Sequence, residues 1–252
     1  MSAPSHAVVT GGGSGIGLAI ARALGDAGHP VTIIGRSPDR LSAALPSVPG
    51  GRMQACDVGH EERLVSALGA AAADAGPIGV LVNCAGLART APFEKTANAV
   101  WEELWRINLM GAVYASRAVL PDMRNLPAGR IINIASTASL KGYGYVSAYV
   151  ATKHALLGLT RSLALELART AITVNALCPG YADTEIIRQS VETIVAKTGR
   201  SEADALKTFT ATNPQGRLIA PDEVAASVLW LVSDAARSVT GQAITIAGGE
   251  IM

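Results

Sequence analysis

The feature that most restricts what this chain can fold into is an alternation. Short, apolar runs rich in β-branched residues are separated by longer Ala- and Leu-rich segments of helical period. The strands expected are Ala7–Thr10, Val31–Gly35, Arg52–Cys56, Val80–Asn83, Arg130–Ala135, Thr173–Leu177 and Gln242–Ile246. They show little polar–apolar alternation, so both faces of each must be covered, as in a parallel sheet. The helices expected are Gly15–Ala27, Pro38–Leu45, His60–Ala75, Asn98–Met123, Ser147–Ala168 and Pro221–Ser233, with a further helical region over Thr184–Thr212. Strand then helix, repeated, predicts an α/β fold: one doubly wound Rossmann-type domain with about seven parallel strands and helices on both faces. With no internal repeat and no linker, residues 1–252 read as that single domain. Ligands of such sheets sit beyond the carboxyl ends of the strands, so those ends are where chemistry is sought.

Charge narrows the partners. Twenty-one Lys and Arg against 20 Asp and Glu leave no basic footprint for nucleic acid or an anionic membrane surface. The first 21 residues are free of charged side chains, yet they lack a basic start and five glycines interrupt them, so they read as mature structure rather than a leader. Cys56, Cys84 and Cys178 are odd in number and far apart, which points to a reducing, cytoplasmic setting. His6, His29, His60 and His154 have no ligand spacing, so no metal is expected.

Directly after the first strand stands Thr10-Gly11-Gly12-Gly13-Ser14-Gly15-Ile16-Gly17, opening an apolar helix. Glycines allow a tight turn and close approach of main chain to a pyrophosphate at a helix N-terminus. The spacing, Gly-x-x-x-Gly-x-Gly, differs from the ordinary dinucleotide fingerprint and, with Thr10 ahead of it, resembles the short-chain dehydrogenase/reductase family. The resemblance runs over residues 5 to 250 and continues at Asp57-Val58 and at Asn83-Cys84-Ala85-Gly86. It implies that Gly11, Ser14, Gly15, Ile16 and Gly17 hold the cofactor phosphates. It further implies that Asp57 and Val58 meet the adenine, that Asn83 has a structural part, and that Ala85 and Gly86 leave room for the ribose. About 20 residues past the glycines, Ile34-Gly35-Arg36-Ser37 lacks the carboxylate that would repel a 2′-phosphate. Arg36, beside Ser37, can pair with that phosphate, so NADP(H) is favoured and NAD(H) is possible.

The fifth strand runs into Ser136, and thirteen residues later come Tyr149 and Lys153, at i and i+4 on one face of a helix. A lysine cation beside a phenol favours the phenolate and is expected to bring Tyr149 down toward working pH. Ser136 can then hold a substrate oxygen while Tyr149 gives or takes its proton. The resemblance adds Lys153 on the nicotinamide ribose and Asn108 on a water that relays protons. It also sets Pro179, Gly180, Ala182 and Thr184 along the nicotinamide carboxamide and pyrophosphate.

The expected activity is hydride transfer between nicotinamide and a carbonyl or secondary alcohol, on a small-molecule substrate. Leu87–Phe93, Thr137–Val146 and the lid-like region 184–212, with Tyr181, Ile186, Ile187 and Phe209, are expected to set specificity. The wording of Tyr149–Glu166 and Ile172–Gly180 resembles 3-hydroxybutyrate dehydrogenases, 3-oxoacyl thioester reductases and polyketide ketoreductases. The hydroxybutyrate enzymes bind a small carboxylate through residues replaced here by Ala138 and Val146, with Lys141 as the available substitute. A 3-oxoacyl or 3-hydroxyacyl thioester, or a cyclic ketone or alcohol, is therefore expected. The alternatives are 3-hydroxybutyrate oxidation and a non-catalytic nucleotide-sensing regulator on the same fold. The resemblance also implies a homotetramer.

Overall fold

The computed structural model describes residues 4–252. Among them, seven strands form one all-parallel sheet: β1 (His6–Thr10), β2 (Val31–Gly35), β3 (Gly51–Ala55), β4 (Ile78–Asn83), β5 (Gly129–Ile134), β6 (Ile172–Pro179) and β7 (Ala243–Ile246). Their order is β3-β2-β1-β4-β5-β6-β7, so the chain builds outward from β1, returns beside it at β4 and then builds the other way. The reversal between β1 and β4 opens a crevice at their carboxyl ends.

Period-two packing divides each central strand between two apolar layers. Val9, Ile33, Val82 and Ile132 face α1 (Gly15–Asp26), α2 (Pro38–Ala44) and α9 (Pro221–Val232). Their neighbours Val8, Ile34, Leu81 and Ile131 face α3 (Glu61–Ala75), α5 (Gly111–Met123) and the end of α6 (Ser147–Glu166). Full burial of such side chains contributes about 1.5–3 kcal/mol each, and this explains why the strands carry no polar face. His6, the polar exception at the start of β1, is buried, with Nδ1 2.8 Å from the Gly76 carbonyl and Nε2 2.9 Å from Thr32 Oγ1.

Two expected helices resolve into pieces. Asn98–Met123 divides into α4 (Asn98–Trp105), a π-helical turn over Arg106–Met110, and α5. The wider turn lets Asn108 leave the apolar stripe. Region 184–212 becomes α7 (Glu185–Thr198) and α8 (Glu202–Thr210); Gly199, at φ 69°, closes α7 in the left-handed conformation that ends helices. No helix among the described residues is long and apolar enough to cross a membrane.

Candidate active site

The crevice at the strand reversal is part of a cleft of about 990 Å³ bounded by the carboxyl ends of the strands and by α7 and α8. Thr10 ties its two sides together: its Oγ1 accepts from the amides of Cys84 (3.0 Å) and Ala85 (3.1 Å). Gly11 crosses so near β4's exit that a Cβ there would lie 2.9 Å from Ala85 Cα, and its φ of 70° favours glycine independently. α1 starts at the cleft with Ser14 as N-cap, whose side chain makes no capping hydrogen bond, and with no acidic residue in the first turn. The first-turn amides, Gly15 to Gly17 among them, lack partners within the helix. An uncapped positive helix end, open to the cleft through a glycine turn, fits a pyrophosphate.

At the far end, Arg36, Ser37 and Arg40 line the cleft. Ser37 caps α2 by accepting from the Arg40 amide at 3.3 Å. Arg40, a cation not singled out in the sequence, reaches across the mouth to Glu185 of α7 at 3.4 Å. Its signal was its place in the first turn of the helix that follows Arg36. Asp57 and Val58 also line the cleft. Burial raises the Asp57 carboxyl, but the Gly59 amide and Arg106 outweigh that and hold it below its ordinary range. Ala85 and Gly86 border the cleft, whereas Asn83 turns into the interior, where its Nδ2 donates to Asn133 Oδ1 at 2.8 Å. Asn83 thus braces β4 against β5 and, unlike the other candidate cofactor residues, does not line the cleft.

Ser136, Tyr149 and Lys153 converge on the middle of the cleft. Ser136 follows β5, accepts from the Ala138 amide at 3.1 Å and hydrogen-bonds Tyr149. Lys153 is buried, with Nζ 5.7 Å from the Tyr149 ring centre and 2.8 Å from the Ile134 carbonyl to which it donates. Burial lowers Lys153 to about 8. Burial raises Tyr149, against a smaller lowering by Ser136, so the expected pull of Lys153 toward a phenolate is not what this geometry gives. Desolvation of the phenol dominates, and the Lys153 cation donates to the Ile134 carbonyl rather than to the phenol oxygen.

Asn108 lies behind this group and outside the cleft lining. Its Oδ1 accepts from Leu87 N (2.7 Å), and its Nδ2 donates to Leu87 O (2.9 Å) and Thr152 Oγ1 (3.1 Å). A Cβ on Gly86 would sit 3.3 Å from Asn108 Oδ1 and 3.7 Å from Lys153 Nζ, so both groups face one point under the loop after β4. Burial pushes the Cys84 and Cys178 thiols up to about 12 and about 11, which keeps both as protonated packing groups.

Pro179, Gly180, Ala182 and Thr184 pass along the cleft after β6. Ala182 is fixed by a bridge to Ile219, and Thr184 Cγ2 lies 3.2 Å from where a Gly15 Cβ would stand. Tyr181, Ile186, Ile187 and Phe209 all face the cleft, and Tyr181 stacks edge-on against Tyr143 (6.4 Å) and Phe209 (5.3 Å). Phe93 does not join them: it is 69% exposed and packs edge-on against Trp101. Lys141 is not available for a substrate carboxylate, because its Nζ is paired at 2.9 Å with Glu250, a residue not foreseen in any motif.

A doubly wound sheet whose first turn offers an uncapped helix end, with a Ser, Tyr and Lys grouped beside it, defines a dinucleotide-dependent oxidoreductase of the Rossmann class. Within that class the chain belongs to the short-chain dehydrogenase family, whose model matches residues 5–194. It is 37% identical to a putative ketoacyl reductase of Streptomyces coelicolor, over 96% of this chain and 95% of that one. It is also 37% identical to an acetoacetyl-CoA reductase of Shinella zoogloeoides, over 97% of each chain. A crystal structure of a point variant of actinorhodin polyketide ketoreductase with NADPH superposes with a TM-score of 0.92 at 36% identity, covering 98% of this chain and 97% of that one. The protein is accordingly an NAD(P)-dependent carbonyl or alcohol oxidoreductase.

Proposed function

We propose that this protein is an NADPH-preferring reductase of ketones, acting on a 3-oxoacyl thioester or a cyclic ketone. The observation that carries the reading is the grouping of Ser136, Tyr149 and Lys153 in the same cleft as the α1 N-terminus and two arginines. The α1 amides and Thr184 would hold the pyrophosphate, Asp57 and Val58 the adenine, and Lys153 the ribose, with Arg36 and Arg40 on a 2′-phosphate. The reduced nicotinamide supplies the hydride. Ser136 Oγ donates to the ketone oxygen and sets its position. Tyr149, kept protonated by burial, donates its proton to that oxygen as charge develops there. Lys153 stabilises the phenolate left behind, and Asn108 holds the loop at Leu87 under which a water can return the proton.

The substrate enters beside Tyr143, Tyr181 and Phe209, and α7 with α8 serves as its cover, all within one catalytic domain. The resemblance to a ketoacyl reductase and an acetoacetyl-CoA reductase supports a 3-oxo group on the substrate. Trp105 and Leu165, 45% and 79% exposed on α4 and α6, support a helix-to-helix interface, and Trp230 on α9 supports a second, as in a homotetramer. Three free cysteines support a cytoplasmic location. The test is the initial rate of cofactor oxidation with acetoacetyl-CoA and with a bicyclic ketone, comparing NADPH and NADH. Turnover faster with NADPH is expected. Cofactor binding without turnover across carbonyl compounds would instead make the protein a nucleotide-sensing regulator. Light scattering that returns a monomer would remove the tetramer.

A further inference from the structure

The last four residues but two, Ala247-Gly248-Gly249-Glu250, bring a carboxylate back into the protein. Gly248 and Gly249 take φ of 59° and 93°, conformations that other residues rarely adopt, and the turn they make points Glu250 inward. The Glu250 side chain is 2% exposed. Tyr143 donates its hydroxyl to Glu250 Oε1 at 2.6 Å, Lys141 donates at 2.9 Å, and Thr212 past α8 adds a third hydrogen bond. On its other side, Oε2 lies 3.2 Å from the point a Gly180 Cβ would occupy. One carboxylate therefore joins the loop after β5, the end of the α7–α8 segment and the turn after β6, all of them on the substrate side of the cleft. Burial raises its pKa, but the bonds from Tyr143, Lys141 and Thr212 outweigh burial, hold the carboxyl below its ordinary range and keep it ionised.

Charge at this end of the cleft follows from that pairing. Among the described residues lining the cleft, the cations are Arg36 and Arg40 at the far end and Lys153 beneath Tyr149. Lys141 stands behind the wall, with Nζ 4.9 Å from the centre of the Tyr143 ring that forms part of it. Its charge is cancelled by Glu250. The wall itself is the Tyr143, Tyr181 and Phe209 edge-to-face chain, which offers no charge to a substrate.

We infer that Glu250 is a specificity-determining residue: by neutralising Lys141 it leaves the substrate end without a free cation, so that the cleft accepts uncharged ketones near the reacting carbonyl and refuses free carboxylates. This rests on the reading of Ser136, Tyr149 and Lys153 as the reducing centre. Loss of the Glu250 charge releases Lys141, a flexible cation one ring away from the substrate, and opens the site to anions.

Ethyl acetoacetate and acetoacetate carry the same ketone and differ in one charge, so they isolate the effect. With NADPH, the wild-type protein is expected to favour the ester over the acid in kcat/KM by more than about tenfold. Glu250→Gln should lower that ratio about tenfold, chiefly through a smaller KM for acetoacetate, with NADPH affinity unchanged. The double variant Lys141→Met/Glu250→Gln should restore it, which a merely structural role for Glu250 would not produce. The inference is overturned if the ratio stays fixed in Glu250→Gln, or if its gain in acetoacetate use survives loss of Lys141. Should Glu250→Gln fail to fold, the wild type still decides, because inhibition by acetoacetate as tight as the KM of the ester overturns the inference. Absence of turnover with every carbonyl compound, despite NADPH binding, is a different result: it removes the reductase reading itself.

Discussion

The two ends of the cleft are made of different material. The proposed phosphate site is main chain: a glycine turn, an uncapped helix start and the crossing of Gly11 over Ala85, all within a few residues of β1 and β4, with the Arg36 and Arg40 side chains only at its edge. The substrate end is side chains drawn from far apart, as in the bond from Tyr143 to Glu250 across 107 residues. Main-chain recognition reads what every dinucleotide has in common, its phosphates. Side-chain recognition, held by a buried carboxylate, is free to change from one family member to another without disturbing the first.

Substitutions at either end should therefore separate binding from turnover. Ser136→Ala removes the group proposed to hold the ketone oxygen, and kcat should fall about 100-fold or more while the NADPH Kd stays within experimental error. Gly11→Ala does the opposite. It forces a Cβ to 2.9 Å from Ala85 at φ 70°, a strain of about 1–3 kcal/mol that should weaken NADPH by up to about 100-fold in a fluorescence titration. A variant that binds NADPH normally would show that the crossing has slack. Arg36→Ala should cost NADPH about tenfold and leave NADH unaffected; equal losses would deny Arg36 the 2′-phosphate.

The pH dependence sharpens the picture at the chemical end. Lys153, lowered to about 8 by burial, loses its charge as pH rises through that value, while Tyr149, raised by burial, is still protonated. The rate of ketone reduction should fall as pH rises past about 8, and a profile flat to high pH would contradict the role of Lys153. The smallest effect lies outside the cleft. Burial lowers His6 below its ordinary 6.5, so below that pH the unfolded chain takes a proton that the native one refuses. Stability should decline on acidification with a slope of up to about 1.4 kcal/mol per pH unit. In His6→Gln the slope in chemical denaturation should shrink, and an unchanged slope would assign the decline to other groups.

The difference between the ends also explains what could be read from the sequence. Strands and the glycine turn are local patterns, and the order of apolar runs carries the whole sheet. Ser136, Tyr149 and Lys153 stand close in sequence, and the structure brings them to one cleft. The π turn at Arg106–Met110 was not legible, because widening one turn leaves the apolar period nearly intact. Nor was the direction of the Tyr149 shift, since spacing reports the neighbouring lysine and says nothing about desolvation. Arg40 and Glu250 carry no motif. Glu250 becomes visible only when two left-handed glycines fold the tail under Gly180, and then Lys141 ceases to be a free cation.

The central claim is that binding belongs to one end of the cleft and chemistry to Tyr149. It is tested most directly by measuring NADPH affinity and ketone-dependent NADPH oxidation on the same samples of wild-type and Tyr149→Phe protein. The account predicts an unchanged Kd and a turnover lower by about three orders of magnitude, the loss of a proton donor whose oxygen also touches Ser136. Turnover near the wild-type rate, or an affinity for NADPH that collapses together with it, would contradict the account.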